Sequence, residues 1–167
     1  PIERVARSHF DRLVSIQRPT GWSTLVSYPG GLHFLSRSDL IPYSPRHYLG
    51  TTEASSVLVA HSLLRASETL GEPRYLEAAR RIGDLLLRVQ GAGGHFPALA
   101  LVEDGRPVRT RNPDRVNLKD RVQTMPIVFL NALAERTGDE RYRAAADRCL
   151  DLVYRAQNPS GSWPHHV

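Results

Sequence analysis

An internal repeat constrains the fold of this chain more than any other feature of its sequence. When residues 75–97 are laid over residues 142–164, an offset of 67 positions without gaps, identical residues recur along the whole stretch. Self-similarity at one fixed offset is the signature of stacked supersecondary units. The main identities are Tyr75/Tyr142, Ala78/Ala145, Ala79/Ala146, Arg81/Arg148, Asp84/Asp151, Leu85/Leu152, Arg88/Arg155, Gln90/Gln157, Gly94/Gly161 and Pro97/Pro164. A partial third copy near the start contains Ala6, Asp11, Gln17 and Gly21.

Each repeat is predicted to be a helical hairpin. The second helix of each copy has an apolar stripe at i, i+3, i+4 and i+7 and a charged opposite face, which indicates an amphipathic outer helix. The first helix, at residues 57–64 and 125–134, is apolar nearly all round, so we expect it to be buried on both sides. Glycines at Gly71 and Gly138 mark the hairpin turns. Pro126 fits only near the first turn of a helix, so its helix is predicted to begin between Val122 and Thr124.

Stacked hairpins with an apolar inner helix and an amphipathic outer helix predict an all-α fold, part of an (α/α) toroid. We expect a single domain over residues 1–167, with a partial hairpin at 2–17 and hairpins at 53–90 and 121–157. A closed toroid needs more hairpins, so the chain is interpreted as a fragment of a larger toroid. The remainder of that toroid, or another subunit, is expected to cover the helix faces left exposed.

Composition excludes several other classes. Of the 167 residues, 41% are hydrophobic, enough for one sizeable core. No apolar run approaches the roughly 20 residues that span a bilayer, so no membrane partner is expected. The single Cys149 excludes an internal disulfide and a cysteine-based zinc site. The sequence has no P-loop, no Rossmann fingerprint and no Gly-x-Ser-x-Gly motif.

The basic excess is concentrated in one segment. The chain has 22 basic and 17 acidic residues, a net charge of +5. The arginines are spread along helices without interleaved aromatic residues, so nucleic acid is not an expected partner. Residues 106–121 contain six basic residues against two acidic ones, a net +4. Arginine suits a carboxylate-bearing partner because its planar fork can bind both oxygens. A solvated surface loop without a ligand is the alternative.

Two long connections are the predicted place of function. Residues 18–52 and 91–120 each follow an outer helix and lead into an inner one, so both lie at the same end of the hairpins. Connections of about 30 residues greatly exceed the usual helix–helix loop and often form binding sites. Aromatic rings there can stack on a sugar while polar groups bind hydroxyls and carboxylates. The candidate substrate-binding residues are His33, Arg37, Asp39, Arg46, His47, Arg115, Lys119 and Trp163. Trp163 has an alternative structural role, because it recurs at a turn position equivalent to Phe96.

Three further positions have competing interpretations. Asp120 and Arg121 lie at the start of an inner helix, where the helix dipole favours an acid, so Asp120 is either a cap or a ligand. His61 lies on an apolar helix face and is predicted to be a core residue rather than a metal ligand.

Four stretches resemble the bacterial pectic acid lyase (pectate lyase) family. They are residues 30–40, 118–124, 137–145 and 156–164, the last with an Ala-Gln-x-Pro-x-Gly-x-Trp-Pro ending. The resemblance implies cleavage of polygalacturonate by β-elimination, with calcium at the substrate carboxylate and an arginine base. It implies Arg37, Asp120 and Arg121 as catalytic candidates, and Asp39 and Asp120 as calcium ligands. An acidic polysaccharide substrate further implies an extracellular or periplasmic protein.

The sequence departs from the family in two places. Leu32 stands where the family has tryptophan, and the family's Asn-Asp-Asp segment would follow Val167. Two alternatives therefore stay open. One is a non-catalytic glycan-binding or scaffold toroid. The other is a toroid similar to terpene cyclases, because residues 157–163 resemble their Gln-x-Gly-x-Trp turn, although the sequence lacks an Asp-rich acid motif.

Overall fold

A computed structural model describes residues 2–17, 48–50, 56–97, 99–101, 116, 118, 120–164 and 167. Helices make up most of these ranges, together with two strands of three residues each. The helices are α1 (Ile2–Ile16), α2 (Ser56–Leu70), α3 (Pro73–Val89), α4 (Asp120–Thr137) and α5 (Glu140–Arg155). The strands are β1 (Tyr48–Gly50) and β2 (Leu99–Leu101).

The helices form two antiparallel hairpins preceded by a single outer helix. Helix α2 packs along α3, and α4 packs along α5. The inner helices α2 and α4 contact each other, and so do the successive outer helices α1, α3 and α5. This two-layer arc of helical hairpins is the all-α architecture that the repeat predicts.

Short turns join the two helices of each hairpin. Gly71 and Gly138 adopt φ values of +67° and +71°, a left-handed conformation that ends the inner helix without a side-chain clash. The next helix begins at once, with Pro73 in its first turn in one hairpin. In the other, the Asp139 carboxylate accepts a hydrogen bond of 3.1 Å from the Arg141 amide. The turns therefore have the chemistry that the sequence predicts.

The core lies between the inner and outer layers. The predicted apolar stripes of the outer helices point into it, and both tyrosines that begin those stripes are fully buried, as expected. The core contains buried side chains from all five helices, so the hairpins share one hydrophobic core. The largest fully buried side chains of the described residues are Tyr75, Tyr142, Phe96, Phe129, Leu63, Leu64, Ile82, Leu85, Leu86, Leu130 and Leu133.

The predicted start of the second inner helix is wrong. Helix α4 begins at Asp120 rather than between Val122 and Thr124, so Pro126 lies inside the helix. A proline there removes its own amide donor but leaves the first turn able to form. Val122 and Gln123 are fully buried, and their packing holds that first turn against the core. Tertiary contacts therefore extend the helix beyond the position that proline alone favours.

The inner helices are also less enclosed than predicted. Leu58 of α2 is 50% exposed and Val128 of α4 is 57% exposed. Burial on both sides requires a neighbouring inner helix on each side. Of the described helices, α2 and α4 have only each other as inner neighbours, so each keeps one apolar residue open to solvent.

The two short strands were not predicted from the sequence. They pair in antiparallel fashion, with Tyr48 opposite Leu101, Leu49 opposite Ala100 and Gly50 opposite Leu99. A second backbone pair joins Val116 and Val167, which exchange hydrogen bonds of 2.7 and 3.1 Å. Three-residue strands are too short to show the alternation of apolar and polar residues by which a strand is recognised.

Candidate functional site

The two long connections meet at one end of the hairpins. The outer helices α1 and α3 end there, and the inner helices α2 and α4 begin there. Strand β1 belongs to the first connection and β2 to the second, so their ladder fixes the two connections side by side. The prediction that both lie at the same end is thus confirmed. This end, from which the connections leave the helices, is called the connection end below.

Most of the predicted site residues lie outside the described part of the chain. They are His33, Arg37, Asp39, Arg46, His47, Arg115 and Lys119. Asp120 and Arg121 are the first two residues of α4, and only their backbone is described. Their amides belong to the first turn of the helix, where unpaired N–H groups and the helix dipole attract negative charge. The start of α4 is therefore electrostatically suited to an anionic group.

A tight turn leads the chain from α3 into the second connection. The Gly91 amide donates to the His95 carbonyl and the Gly94 amide to the Gly91 carbonyl, each at 2.9 Å. The Gln90 side chain closes the turn by donating to the Gly94 carbonyl at 2.8 Å. Gly94 has φ +91°, and a Cβ atom there would overlap the backbone carbonyl of Arg148. The turn is thus rigidly held against α5.

Gln123 anchors the exit of this turn to the start of α4. Its amide group donates to the Phe96 carbonyl at 3.0 Å, and its side-chain oxygen accepts from the Phe96 amide at 2.8 Å. The Cys149 thiol also donates to that oxygen at 3.3 Å. Gln123 and Phe96 are both buried. A side chain that satisfies two backbone groups inside the core fixes the path of the connection beside Asp120.

Sequence analysis did not single out Gln123. The available signal was helical spacing: Gln123 stands four and seven positions before Ile127 and Leu130, so it shares a helix face with these apolar residues. A buried amide needs several hydrogen bonds, so such a residue indicates a local backbone that it must satisfy.

Trp163 is the predicted binding residue whose side chain the structure describes. It lies at the connection end, in a turn that repeats the one after α3, with Gly161 at φ +84° and a Gln157 side chain donating to the Gly161 carbonyl at 2.8 Å. Its indole N–H donates to the Val153 carbonyl at 3.0 Å. The residue is 49% exposed, whereas its counterpart Phe96 is 1% exposed. One ring edge is thus anchored while half of the surface is open to a ligand or another protein segment.

Burial shifts the pKa values of three titratable groups near this end, two half-buried histidines and one buried cysteine. Burial lowers the pKa of His95, whose Nδ1 atom has no hydrogen-bond partner. Burial also lowers the pKa of His61, more than its hydrogen bond to the Met125 carbonyl raises it. His61 makes an edge-on ring contact with buried Phe129 at 5.4 Å between centroids, but it is only half-buried and so lies at the edge of the core, not inside it as the sequence predicts. Burial raises the pKa of the Cys149 thiol to about 12, so it is not a nucleophile.

Within the described ranges, no group of three or more His, Cys, Asp or Glu side chains could hold a metal ion. The predicted calcium ligands are not tested by this, because Asp39 and the Asp120 side chain lie outside those ranges. No helix in the described part of the chain combines the length and apolar character that a membrane crossing requires.

Comparison with known proteins connects the fold to two carbohydrate enzymes. The chain matches no protein-family profile and no curated protein sequence. Among solved structures it is similar to a family 10 polysaccharide lyase from Cellvibrio cellulosa, at a TM-score of 0.66 and 16% identity, over 98% of this chain and 53% of the lyase chain. A point mutant of that lyase, solved with trigalacturonic acid, matches with a TM-score of 0.65, 16% identity and the same coverage.

A cellobiose 2-epimerase from Spirochaeta thermophila is also similar, with a TM-score of 0.64 and 19% identity over 99% of this chain and 40% of the epimerase chain. The chain thus spans about half the length of the lyase and less of the epimerase. These likenesses establish the fold: the hairpins form part of an (α/α) toroid, as the repeat predicts.

Proposed function

We propose that this chain is part of a toroid that binds an acidic polysaccharide such as pectate, and that the intact protein cleaves it by β-elimination. The observation that supports this most is the β1–β2 ladder, because it holds a segment of the first connection beside a segment of the second. Residues 106–121, at the end of the second connection and the start of α4, carry a net charge of +4. A basic surface beside a helix N-terminus suits a chain of carboxylates.

The structural neighbours support the choice of substrate class. The lyase of similar fold was solved with an oligomer of a uronic acid, trigalacturonic acid. The epimerase of similar fold is named for cellobiose, a neutral sugar. Since one fold hosts both, the substrate has to be argued from the residues at the connection end. Here the net +4 of residues 106–121 favours the acidic sugar.

The roles proposed for individual residues follow their chemistry. Arg37, Arg46, Arg115 and Lys119 would bind uronate carboxylates, His33 and His47 would bind hydroxyls, and Trp163 would stack on a sugar ring. Asp39 and Asp120 would hold calcium, which when bound would help neutralise the carboxylate of the reacting sugar. Arg37, Asp120 and Arg121 are the residues proposed to act in catalysis.

The proposed reaction needs a base and a neutralised carboxylate. Neutralising the uronate carboxylate acidifies the proton on C5, and a base removes that proton. The electron pair of the C5–H bond forms a double bond between C4 and C5, the bond from C4 to the bridging oxygen breaks, and that oxygen takes up a proton. Arg37 or Arg121 is proposed as the base.

Binding and cleavage can be tested separately. The purified chain is titrated with polygalacturonate, with fully methyl-esterified pectin and with cellobiose, and product formation is followed by the ultraviolet absorbance of the unsaturated sugar. We expect binding to polygalacturonate alone, and a loss of affinity of about tenfold in Arg37→Ala and in Arg115→Ala. The control is Arg136→Ala, because exposed Arg136 lies about 24 Å from Asp120 along α4.

The outcomes distinguish the candidate functions. Product that disappears on chelation of calcium supports a lyase. Binding without product, in a polypeptide that includes any further hairpins, supports the non-catalytic glycan-binding alternative. Equal binding to the methyl ester and to polygalacturonate would show that carboxylates are not recognised and would contradict the proposal.

A further inference from the structure

The outward surface of the second hairpin repeats an interface that is filled elsewhere in the molecule. Its polar residues Asp151, Gln157 and Trp163 stand 67 positions after Asp84, Gln90 and Phe96. Its apolar residues Leu152, Val153 and Ala156 stand 67 positions after Leu85, Leu86 and Val89. These six residues of the second hairpin are called the C-terminal face.

In the first hairpin, the counterparts of Asp151, Gln157 and Trp163 all contact the second hairpin. The Asp84 carboxylate accepts from the Tyr142 hydroxyl at 2.8 Å. The Gln90 side chain donates to the Ala145 carbonyl at 2.8 Å and accepts from Arg148 at 2.6 Å. Phe96 is bound at both backbone groups by Gln123 of the second hairpin.

The same polar contacts join α1 to the first hairpin. The Asp11 carboxylate accepts from the Tyr75 hydroxyl at 2.7 Å. The Gln17 side chain donates to the Ala78 carbonyl at 2.8 Å and accepts from Arg81 at 2.8 Å. Two successive interfaces thus use one set of contacts, in which the later unit supplies the tyrosine, the alanine carbonyl and the arginine.

On the C-terminal face these groups lack the corresponding contacts. Within the described residues, Asp151 is exposed and accepts no tyrosine hydroxyl, and the Gln157 side chain bonds to Gly161 of its own turn. Leu85, Leu86 and Val89 are at most 3% exposed, whereas their counterparts on the C-terminal face are only partly buried. The face has both the polar and the apolar features of the filled interface.

The backbone at the connection end repeats as well. Leu49 pairs with Ala100 between the first and second connections, and Val116 pairs with Val167 between the second connection and the last described residue. Both members of the second pair stand 67 positions after those of the first. Val167 therefore has the position that Ala100 has one repeat earlier. After Ala100, the chain continues into the inner helix α4.

We infer that the C-terminal face binds a third helical hairpin of the same repeat. The hairpin would direct a tyrosine hydroxyl to Asp151, an arginine and an alanine carbonyl to Gln157, and a buried amide side chain to the backbone of Trp163. A second copy of the chain fits less well. Its free outer helix α1 has Ile2, Val5 and Ser8 at the positions of Tyr75, Ala78 and Arg81.

The inference can be tested by extending the chain by one repeat. A copy of residues 101–167 is joined directly after Val167, and the copied Trp163 is replaced by Phe so that the tryptophan content is unchanged. We expect a monomer in which the emission of the original Trp163 shifts to shorter wavelength, because its ring becomes buried. An unchanged spectrum would overturn the inference, and so would a failure to fold, since this hairpin already folds on the matching face of its predecessor.

A double-mutant cycle tests the specific contact. In the extended chain, Asp151→Asn, and Tyr142→Phe in the copy, should each raise the equilibrium constant of unfolding about tenfold. The double variant should raise it by no more than either single substitution. Tyr154→Phe in the copy is the matched control. Asp151→Asn should have no effect on the unextended chain. Independent effects, or an unextended chain that already dimerises with Trp163 buried and is dissociated by Asp151→Asn, would overturn the inference.

Discussion

At the residue scale, two tyrosines join the outer helices by the same hydrogen bond. Each is fully buried, and its hydroxyl donates to a half-buried aspartate on the preceding outer helix. Burial and the hydrogen bond to Asp84 raise the pKa of Tyr142 to about 12. The phenol therefore stays protonated and can donate throughout the neutral pH range.

Removal of the Tyr142 hydroxyl should destabilise the chain. We expect Tyr142→Phe to lower the free energy of unfolding by about 1 to 2 kcal/mol, because a hydrogen bond to a charged acceptor is lost while the ring still fills the core. Urea unfolding followed by circular dichroism measures the change. Tyr154→Phe is the control, because Tyr154 is 62% exposed. Equal effects of the two substitutions would show that the hydroxyl does not join the helices.

At the element scale, the two equivalent turns after α3 and α5 differ in what surrounds their glycines. Gly94 and Gly161 both have positive φ, but a Cβ atom at Gly94 would overlap the Arg148 carbonyl, whereas nothing lies within 4 Å of one at Gly161. The first turn is held between two hairpins and the second belongs to the C-terminal face.

Substitution of these two glycines by alanine should therefore lower the free energy of unfolding by unequal amounts. Gly161→Ala should cost about 1 kcal/mol, the strain of a left-handed alanine. Gly94→Ala adds a displacement of α5 or of the turn and should cost about 3 kcal/mol or more. Thermal unfolding of the two variants, compared at one pH, gives the difference. Equal losses would mean that the turn after α3 is not packed on Arg148.

Much of the helical architecture could be predicted from the sequence, and the reasons are local. Gly71 and Gly138 specify the turns, and the apolar stripes specify the buried faces of α3 and α5. The start of α4 differs from the prediction because Pro126 favours a later start, whereas the burial of Gln123, which only the folded core reveals, holds the first turn in place. The site could be predicted only as a location, since the relative positions of residues in long connections depend on tertiary structure rather than on periodicity.

At the scale of the whole molecule, two half-buried histidines with lowered pKa values link stability to pH. The folded-state pKa values of His61 and His95 lie below the ordinary value of 6.5, so the unfolded chain binds protons more readily in this range. The stability that they contribute is fully present above pH 6.5 and is lost as the pH falls through their folded-state pKa values.

The urea midpoint of the chain should accordingly fall as the pH is lowered from about 6.5 towards 5. His95→Gln should flatten this dependence, because glutamine does not titrate. His9→Gln, at an exposed position of α1, should leave it unchanged. A dependence that is the same in all three chains would show that burial of His95 has no part in it.

The central claim is that the connection end binds an acidic polysaccharide. Hydrogen exchange of the chain with and without oligogalacturonate tests it most directly, because every segment reports separately. We predict slower exchange in residues 18–52 and 91–121 and no change in the hairpin turns at Gly71 and Gly138, which lie at the opposite end. Protection of those turns, or protection by a neutral oligosaccharide equal to that by the uronate, would contradict the account.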